Sequence, residues 1–123
     1  VTIVSWSRQV QACLDAAEQL AAQGVQAEVI DLRTLWPWDK EAVLNSAAKT
    51  GRVLVVHEAI QVAGFGGEIA ATVAEHTDAK VARLGAPRIP VGRGSACRLV
   101  GVKPRSANVG RRSPAGGGAR WRA

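Results

Sequence analysis

Short apolar segments alternate with longer segments of helical periodicity along the first 91 residues. The segments VTIVSW, VQAEVIDL, RVLVVHEA and AKVARLGA are short and rich in apolar residues, many of them β-branched, which is typical of strands. Between them, apolar residues recur every three or four positions, as on one face of an amphipathic helix. RVLVVHEA is nearly all apolar, as expected for a strand that is buried on both faces. The pattern predicts the element order βαβαβαβ.

Residues that commonly begin or end helices lie at the ends of the first two predicted helices. We predict that Ser7 caps the first helix and that Gly24 ends it, and that Asp39 caps the second helix and Gly51 ends it. Cys13 falls on the apolar face of the first helix and is predicted to be a small core residue.

Alternating strands and helices with short loops predict an α/β fold. We expect a three-layer, open, mostly parallel sheet whose helices lie on both faces and are reached by right-handed crossovers. No run of eighteen apolar residues occurs, so no membrane-spanning helix is predicted. The two cysteines have neither disulfide-framework nor metal-ligand spacing, which favours a reducing compartment and a cytoplasmic location. The chain starts directly in a strand and has no leader pattern, so we expect a fragment that begins where a domain begins.

The net charge of +6 is unevenly distributed along the chain. Residues 1–91 hold eight Lys/Arg and ten Asp/Glu, whereas residues 92–123 hold eight Lys/Arg and no acid. We therefore predict an α/β domain over residues 1–91 and a basic tail, rich in Gly, Arg and Pro, over residues 92–123. The tail lacks a core-forming pattern, so it is predicted to be disordered or to be the product of a frameshift.

Ligands of open α/β sheets bind beyond the carboxyl ends of the strands, where RTLWPW, HEAIQVAGFGG and GAPRIP are expected. His57 and Glu58 are adjacent on a strand, so their side chains should point to opposite faces and should not act together. We favour a structural interpretation, in which His57 is hydrogen-bonded at the sheet end and Glu58 bonds loop amides or faces a partner. The sequence nominates neither a nucleophile beside His57 nor a set of metal ligands.

The segment GFGGE does not form a dinucleotide fingerprint, because Ile69 occupies the position of the last glycine. It does place glycines at the start of a helix, where free amides favour an anion. If the second and third strands are neighbours, Arg33, His57, Gly66 and Gly67 converge on a candidate anion-binding site. The alternative is that the glycines only let the chain turn and the helix pack closely.

Four collinear blocks resemble a known family over residues 1 to about 91. VTIVSWSRQV, AEVIDLRTLWPWD, KTGRVLVVHEA and GFGGEIAA are similar to the C-terminal domain of the β subunit of the decarboxylating first component of 2-oxoacid dehydrogenase complexes. The wider group is the transketolase C-terminal domain.

The resemblance implies an enzyme subunit that works with thiamine diphosphate and magnesium on pyruvate or a branched-chain keto acid. It implies an α subunit, a second β subunit and a lipoyl acyltransferase component as partners. The family's GDG diphosphate–magnesium motif is absent here, and its activating glutamate belongs to another domain, so Glu58 is not that residue. We therefore assign no catalytic residue, and expect this chain alone to bind no cofactor and to serve assembly.

Trp36 and Trp38 flank Pro37 in the loop after the second strand. Tryptophan is enriched at interfaces, so Trp36, Trp38 and Glu58 are candidate subunit-interface residues. The alternative is that the two tryptophans cover the core of their own domain.

A second class of function remains open on the residues alone. The chain is alternatively an independent flavodoxin-like or nucleotide-binding module whose basic tail binds nucleic acid or an acidic surface by charge. Trp121 is the only aromatic residue of the tail, so stacking recognition of nucleic acid is poorly supported.

Overall fold

The computed structural model describes residues 1–88. The chain divides into two compact units, Val1–Pro90 and Val91–Ala123, and the described residues belong to the first. The predictions made for the basic tail, residues 92–123, lie outside the described residues.

Four strands and three helices alternate over residues 1–88 in the predicted order. They are β1 (Thr2–Ser5), α1 (Gln9–Ala22), β2 (Glu28–Asp31), α2 (Lys40–Thr50), β3 (Arg52–Ile60), α3 (Gly66–His76) and β4 (Lys80–Ala86). None of these helices is both long and apolar enough to cross a bilayer.

The four strands form one parallel sheet in the order β2-β1-β3-β4. Helices α2 and α3 contact each other and pack on one face, whereas α1 packs on the other face against β1, β2 and β3. This arrangement confirms the predicted α/β class with three layers. It also shows that β1 separates β2 from β3, so the neighbour relation on which the anion site depended does not exist.

Alternation along the strands builds one core on each face of the sheet. Val4, Val53 and Val55 face α2 and α3 and belong to the larger core. Ile3 and Val56 face α1, where they pack with Cys13, which is buried as predicted. Burial raises the pKa of the Cys13 thiol, so the side chain is held as a neutral apolar group.

Three of the four predicted helix ends are confirmed. Gly24 and Gly51 adopt left-handed conformations after α1 and α2, and the carboxylate of Asp39 accepts a 2.9 Å hydrogen bond from the amide of Ala42. The prediction for Ser7 is wrong. Ser7 has a φ of 57° and its side chain caps nothing, because the chain leaves β1 through a left-handed turn and α1 starts after Arg8.

A polar network that the sequence pattern did not reveal lies at the amino edge of the sheet. The Thr2 hydroxyl lies 2.6 Å from Ser46 Oγ and 2.8 Å from Thr50 Oγ1, and Ser46 Oγ donates to Glu28 Oε2 at 2.9 Å. The Ser46 hydroxyl and the Lys49 ammonium lower the pKa of the Glu28 carboxyl. The network holds the end of α2 against the starts of β1 and β2.

Candidate functional site

The carboxyl edge of the sheet contains a packed aromatic cluster between β1 and β3. This is the switch point of the strand order, where an open α/β sheet ordinarily offers a ligand crevice. Trp6 directly follows β1 and stacks on His57 of β3, with ring centroids 5.2 Å apart and planes 9° apart. Phe65 lies edge-on to both Trp6 and Trp38, at 5.7 Å and 6.0 Å. The crevice is therefore filled by this chain's own side chains.

Glycines surround the imidazole of His57 because no larger residue leaves room for it. A Cβ atom on Gly66 would lie 2.5 Å from His57 Nε2, and one on Gly85 would lie 2.7 Å from His57 Cε1. A Cβ atom on Gly64 would lie 3.0 Å from His57 Cε1 and would overlap the carbonyl oxygen of Ile60, so the backbone also requires glycine there. The glycine-rich turn before α3 thus serves close packing, which is the alternative interpretation of the GFGGE segment.

His57 is 2% exposed, and neither of its ring nitrogens has a hydrogen-bond partner among residues 1–88. Burial lowers the pKa of His57 below its ordinary value of 6.5. The backbone of Ala59 acts in the opposite direction, and the positive charge of Arg83 acts in the same direction as burial. A buried imidazole without a partner is held neutral. The predicted hydrogen bond at the sheet end is not present in the described residues, and the Trp6 stack takes its place.

Arg33 lies apart from His57, Gly66 and Gly67, because it follows β2 on the far side of β1. Its side chain is 87% exposed, and its Nε lies 2.5 Å from Asp31 Oδ2. The predicted convergence of Arg33 with the other three residues is therefore wrong, and strand order is the reason. Arg33 instead lines an open cavity of about 330 Å³ together with Trp6, Ser7, Asp31, Leu32 and Leu35.

The start of α3 has fewer free backbone N–H donors for an anion than the sequence predicted. The amide of Gly67 donates to the carbonyl of Gly64 at 2.8 Å, and the amide of Glu68 donates to the carbonyl of Phe65 at 3.0 Å. The anion site at His57, Gly66 and Gly67 stays a prediction, and it now has neither Arg33 nor the Gly67 amide to support it.

The candidate interface residues differ sharply in exposure. Trp38 is 6% exposed and belongs to the core beneath α2, as the alternative interpretation held. Trp36 is 83% exposed, with the half-exposed Leu35 beside it. Glu58 is exposed and follows the buried His57, so the two side chains do occupy different environments.

Trp6, Phe65 and Asp31 were missed as site residues by sequence reasoning. The position of Trp6 and Asp31 at the carboxyl ends of two strands was a usable signal, since such ends meet at one edge of a parallel sheet. Among residues 1–88, no group of three His, Cys, Asp or Glu residues is placed to hold a metal ion.

Residues 1–106 match the family described as transketolase, C-terminal domain. The chain belongs to that family. The match runs past residue 91, where the sequence pattern had predicted the domain to end.

The chain is similar to curated proteins that are named as beta subunits of 2-oxoacid dehydrogenases. It is 52% identical over 89 residues to the 2-oxoisovalerate dehydrogenase subunit beta, mitochondrial, of Chaetomium thermophilum. The matched region covers 71% of this chain and 19% of the relative. It is 43% identical over 95 residues to the pyruvate dehydrogenase E1 component subunit beta, mitochondrial, of Dictyostelium discoideum, covering 74% of this chain and 27% of the relative. The chain thus spans 19% and 27% of the length of these two relatives.

A solved structure supports the same fold. The chain resembles a split-gene transketolase, described as an inactive beta4 tetramer, with a TM-score of 0.70 and 31% sequence identity. The likeness covers 76% of this chain and 31% of that chain.

The described residues do not fit thiamine diphosphate with magnesium. The switch-point crevice is filled by the Trp6–His57 stack, and residues 1–88 offer no carboxylate cluster for the metal. No step of a reaction is therefore assigned to this site.

We expect Gly66→Ala to lower the free energy of unfolding by about 1–3 kcal/mol, because the new methyl group overlaps His57. Gly67→Ala is the matched control: its Cβ would meet only the exposed Arg83 side chain, at 3.3 Å, and alanine favours a helix. Urea unfolding of both variants checks the prediction. Equal losses at the two positions would contradict it.

We expect the free energy of unfolding to fall as the pH is lowered through about 6.5. The pKa of His57 is lowered in the folded state, so below this pH the unfolded chain binds a proton that the folded chain rejects. Stability from the neutral imidazole is therefore present above the unfolded pKa and is lost on acidification. Chemical denaturation across this range should give a flatter slope for His57→Gln, and an unchanged slope would refute the assignment.

Proposed function

We propose that this chain is the C-terminal assembly domain of the β subunit of a thiamine-diphosphate-dependent 2-oxoacid dehydrogenase. In this role it supports subunit association and the docking of the lipoyl-bearing second component. The proposal rests on the match to the transketolase C-terminal domain and to β subunits, together with a sheet edge whose switch point is packed by the Trp6–His57 stack. The cofactor and its metal belong to the rest of the parent enzyme.

The observation that carries the assembly role is the exposure of Trp36. Its loop is fixed on both sides by Leu32 and Trp38, which are 5% and 6% exposed. Within the loop, the Thr34 hydroxyl donates a 2.6 Å hydrogen bond to the carbonyl of Pro37. A large apolar ring held in water by a fixed loop has little entropy to lose on binding, and tryptophan is enriched among the residues that contribute most to binding at interfaces.

The proposed partners are an α subunit, a second β subunit and the lipoyl acyltransferase component. Trp36 forms the apolar centre of the contact, and the exposed carboxylate of Glu58 adds a polar group after β3. The resemblance to a tetrameric beta assembly favours a second β subunit as the neighbour of Trp36. A cytoplasmic location is proposed from the reduced, buried Cys13.

The nucleotide-binding alternative loses support from the geometry. The strand order β2-β1-β3-β4 is that of flavodoxin-like folds, but the side chains of Trp6 and His57 occupy the crevice at its switch point.

We expect the 123-residue chain to self-associate in solution and Trp36→Ala to weaken that association by about tenfold or more, because it removes a central anchor. Sedimentation velocity over a range of concentrations measures the change. Val25→Ala is the matched control, since Val25 is an exposed apolar residue that follows α1. A parent chain that stays monomeric, or equal weakening by both variants, would count against the proposal.

We expect the isolated chain to bind no thiamine diphosphate with micromolar affinity in the presence of magnesium, and to decarboxylate neither pyruvate nor branched-chain keto acids. Isothermal calorimetry with and without magnesium measures the binding. A magnesium-dependent dissociation constant below about 10 μM would overturn the division of roles proposed here.

A further inference from the structure

The open cavity at the carboxyl ends of β1 and β2 combines an apolar side with a charged side. Its volume of about 330 Å³ is at the lower end of the range for small-molecule sites. One side is apolar, from Trp6, Leu32 and Leu35, and the other is polar, from Ser7, Asp31 and Arg33. We propose that this cavity binds a free α-amino acid with an apolar side chain, in its zwitterionic form.

The polar side presents one negative and one positive group next to each other. Asp31 Oδ2 and Arg33 Nε are 2.5 Å apart, and among residues 1–88 no further hydrogen bond engages the Arg33 guanidinium. The carboxylate of Asp31 is 29% exposed, whereas Arg33 is 87% exposed. The guanidinium therefore has terminal N–H donors that remain available to a second carboxylate.

This pair of charges selects against ions of a single sign. A lone carboxylate on Arg33 is repelled by Asp31, and a lone ammonium on Asp31 is repelled by Arg33. An α-amino acid carries its ammonium and carboxylate on adjacent atoms, so it can satisfy both groups at once. The net charge of cavity and ligand together is then zero, and each charged group has an opposite partner.

The apolar side accounts for the side chain of the ligand. Leu32 is buried at the base of the loop after β2, Leu35 is half-exposed, and Trp6 is held in position by its stack on His57. A fixed aromatic ring and two leucines offer apolar area to an aliphatic side chain. The same stack closes the crevice between β1 and β3, whereas the cavity on the β1–β2 side is open.

The experiment is a titration of the ¹⁵N-labelled 123-residue chain with L-leucine, followed by NMR. We expect shifts of the Trp6 indole N–H and of the Ser7 and Arg33 amides, with a millimolar-class dissociation constant. 4-Methylpentanoate, which lacks the ammonium, and 3-methylbutylamine, which lacks the carboxylate, should each bind about tenfold more weakly or worse. Glycine, which lacks the apolar side chain, should also bind more weakly.

Two variants and one matched control locate the site. Arg33→Gln and Asp31→Asn should each weaken L-leucine binding by about tenfold or more. Lys49→Gln is the control, because it breaks the ion pair that Glu28 makes at the opposite end of β2 and should leave binding unchanged. If Asp31→Asn does not fold, the Arg33→Gln result alone tests the site, because the exposed Arg33 side chain is not packed in the core.

Three results would overturn the proposal. They are the absence of shifts at tens of millimolar L-leucine, equal binding of 4-methylpentanoate, and equal weakening by Lys49→Gln. None of them bears on the assembly role, which is tested by sedimentation of the Trp36 variant.

Discussion

The buried imidazole of His57 is the constraint on which the carboxyl edge of this domain depends. It is stacked on Trp6 and enclosed by glycines, and it has no hydrogen-bond partner among the described residues. A neutral ring in this position fills the crevice that the strand order would otherwise leave open. The edge is consequently a packed surface between β1 and β3, and it has an open cavity beside β1 and β2.

The short strand β2 has an ion pair at each end, and the two pairs have different surroundings. Glu28 joins a buried hydroxyl network that fastens α2 to the sheet, with Lys49 at its exposed side. Within residues 1–88, Asp31 and Arg33 have no such network, and they line a cavity with apolar neighbours. One ion pair therefore helps to attach α2 to the sheet, whereas the Asp31–Arg33 pair leaves N–H donors of Arg33 free to bind another group.

The sequence predicted the elements, their order and three of four helix ends, because these depend on local periodicity and on residues such as Asp39 and Gly51 that act within one turn. Strand order depends on which side of β1 each crossover takes, and no local pattern encodes that choice. The expected meeting of Arg33 with His57 failed for this reason. The prediction that Ser7 caps α1 was wrong because Ser7 adopts a left-handed turn conformation instead. Trp36 is exposed and Trp38 is buried because burial depends on the three-dimensional path of the loop.

The glycines around His57 also constrain how this sequence can change over time. A side chain at Gly66 becomes acceptable only after His57 has been replaced by something smaller, whereas a smaller residue at position 57 leaves a void until Gly66 is replaced by a larger residue. At Gly85 a Cβ atom would also lie 2.9 Å from the carbonyl oxygen of Ala59, so glycine is required there whichever residue stands at position 57. Substitutions at positions 57 and 66 are therefore epistatic: their effects depend on one another and do not add. Across a set of related sequences, positions 57 and 66 should change together, whereas position 85 should stay glycine.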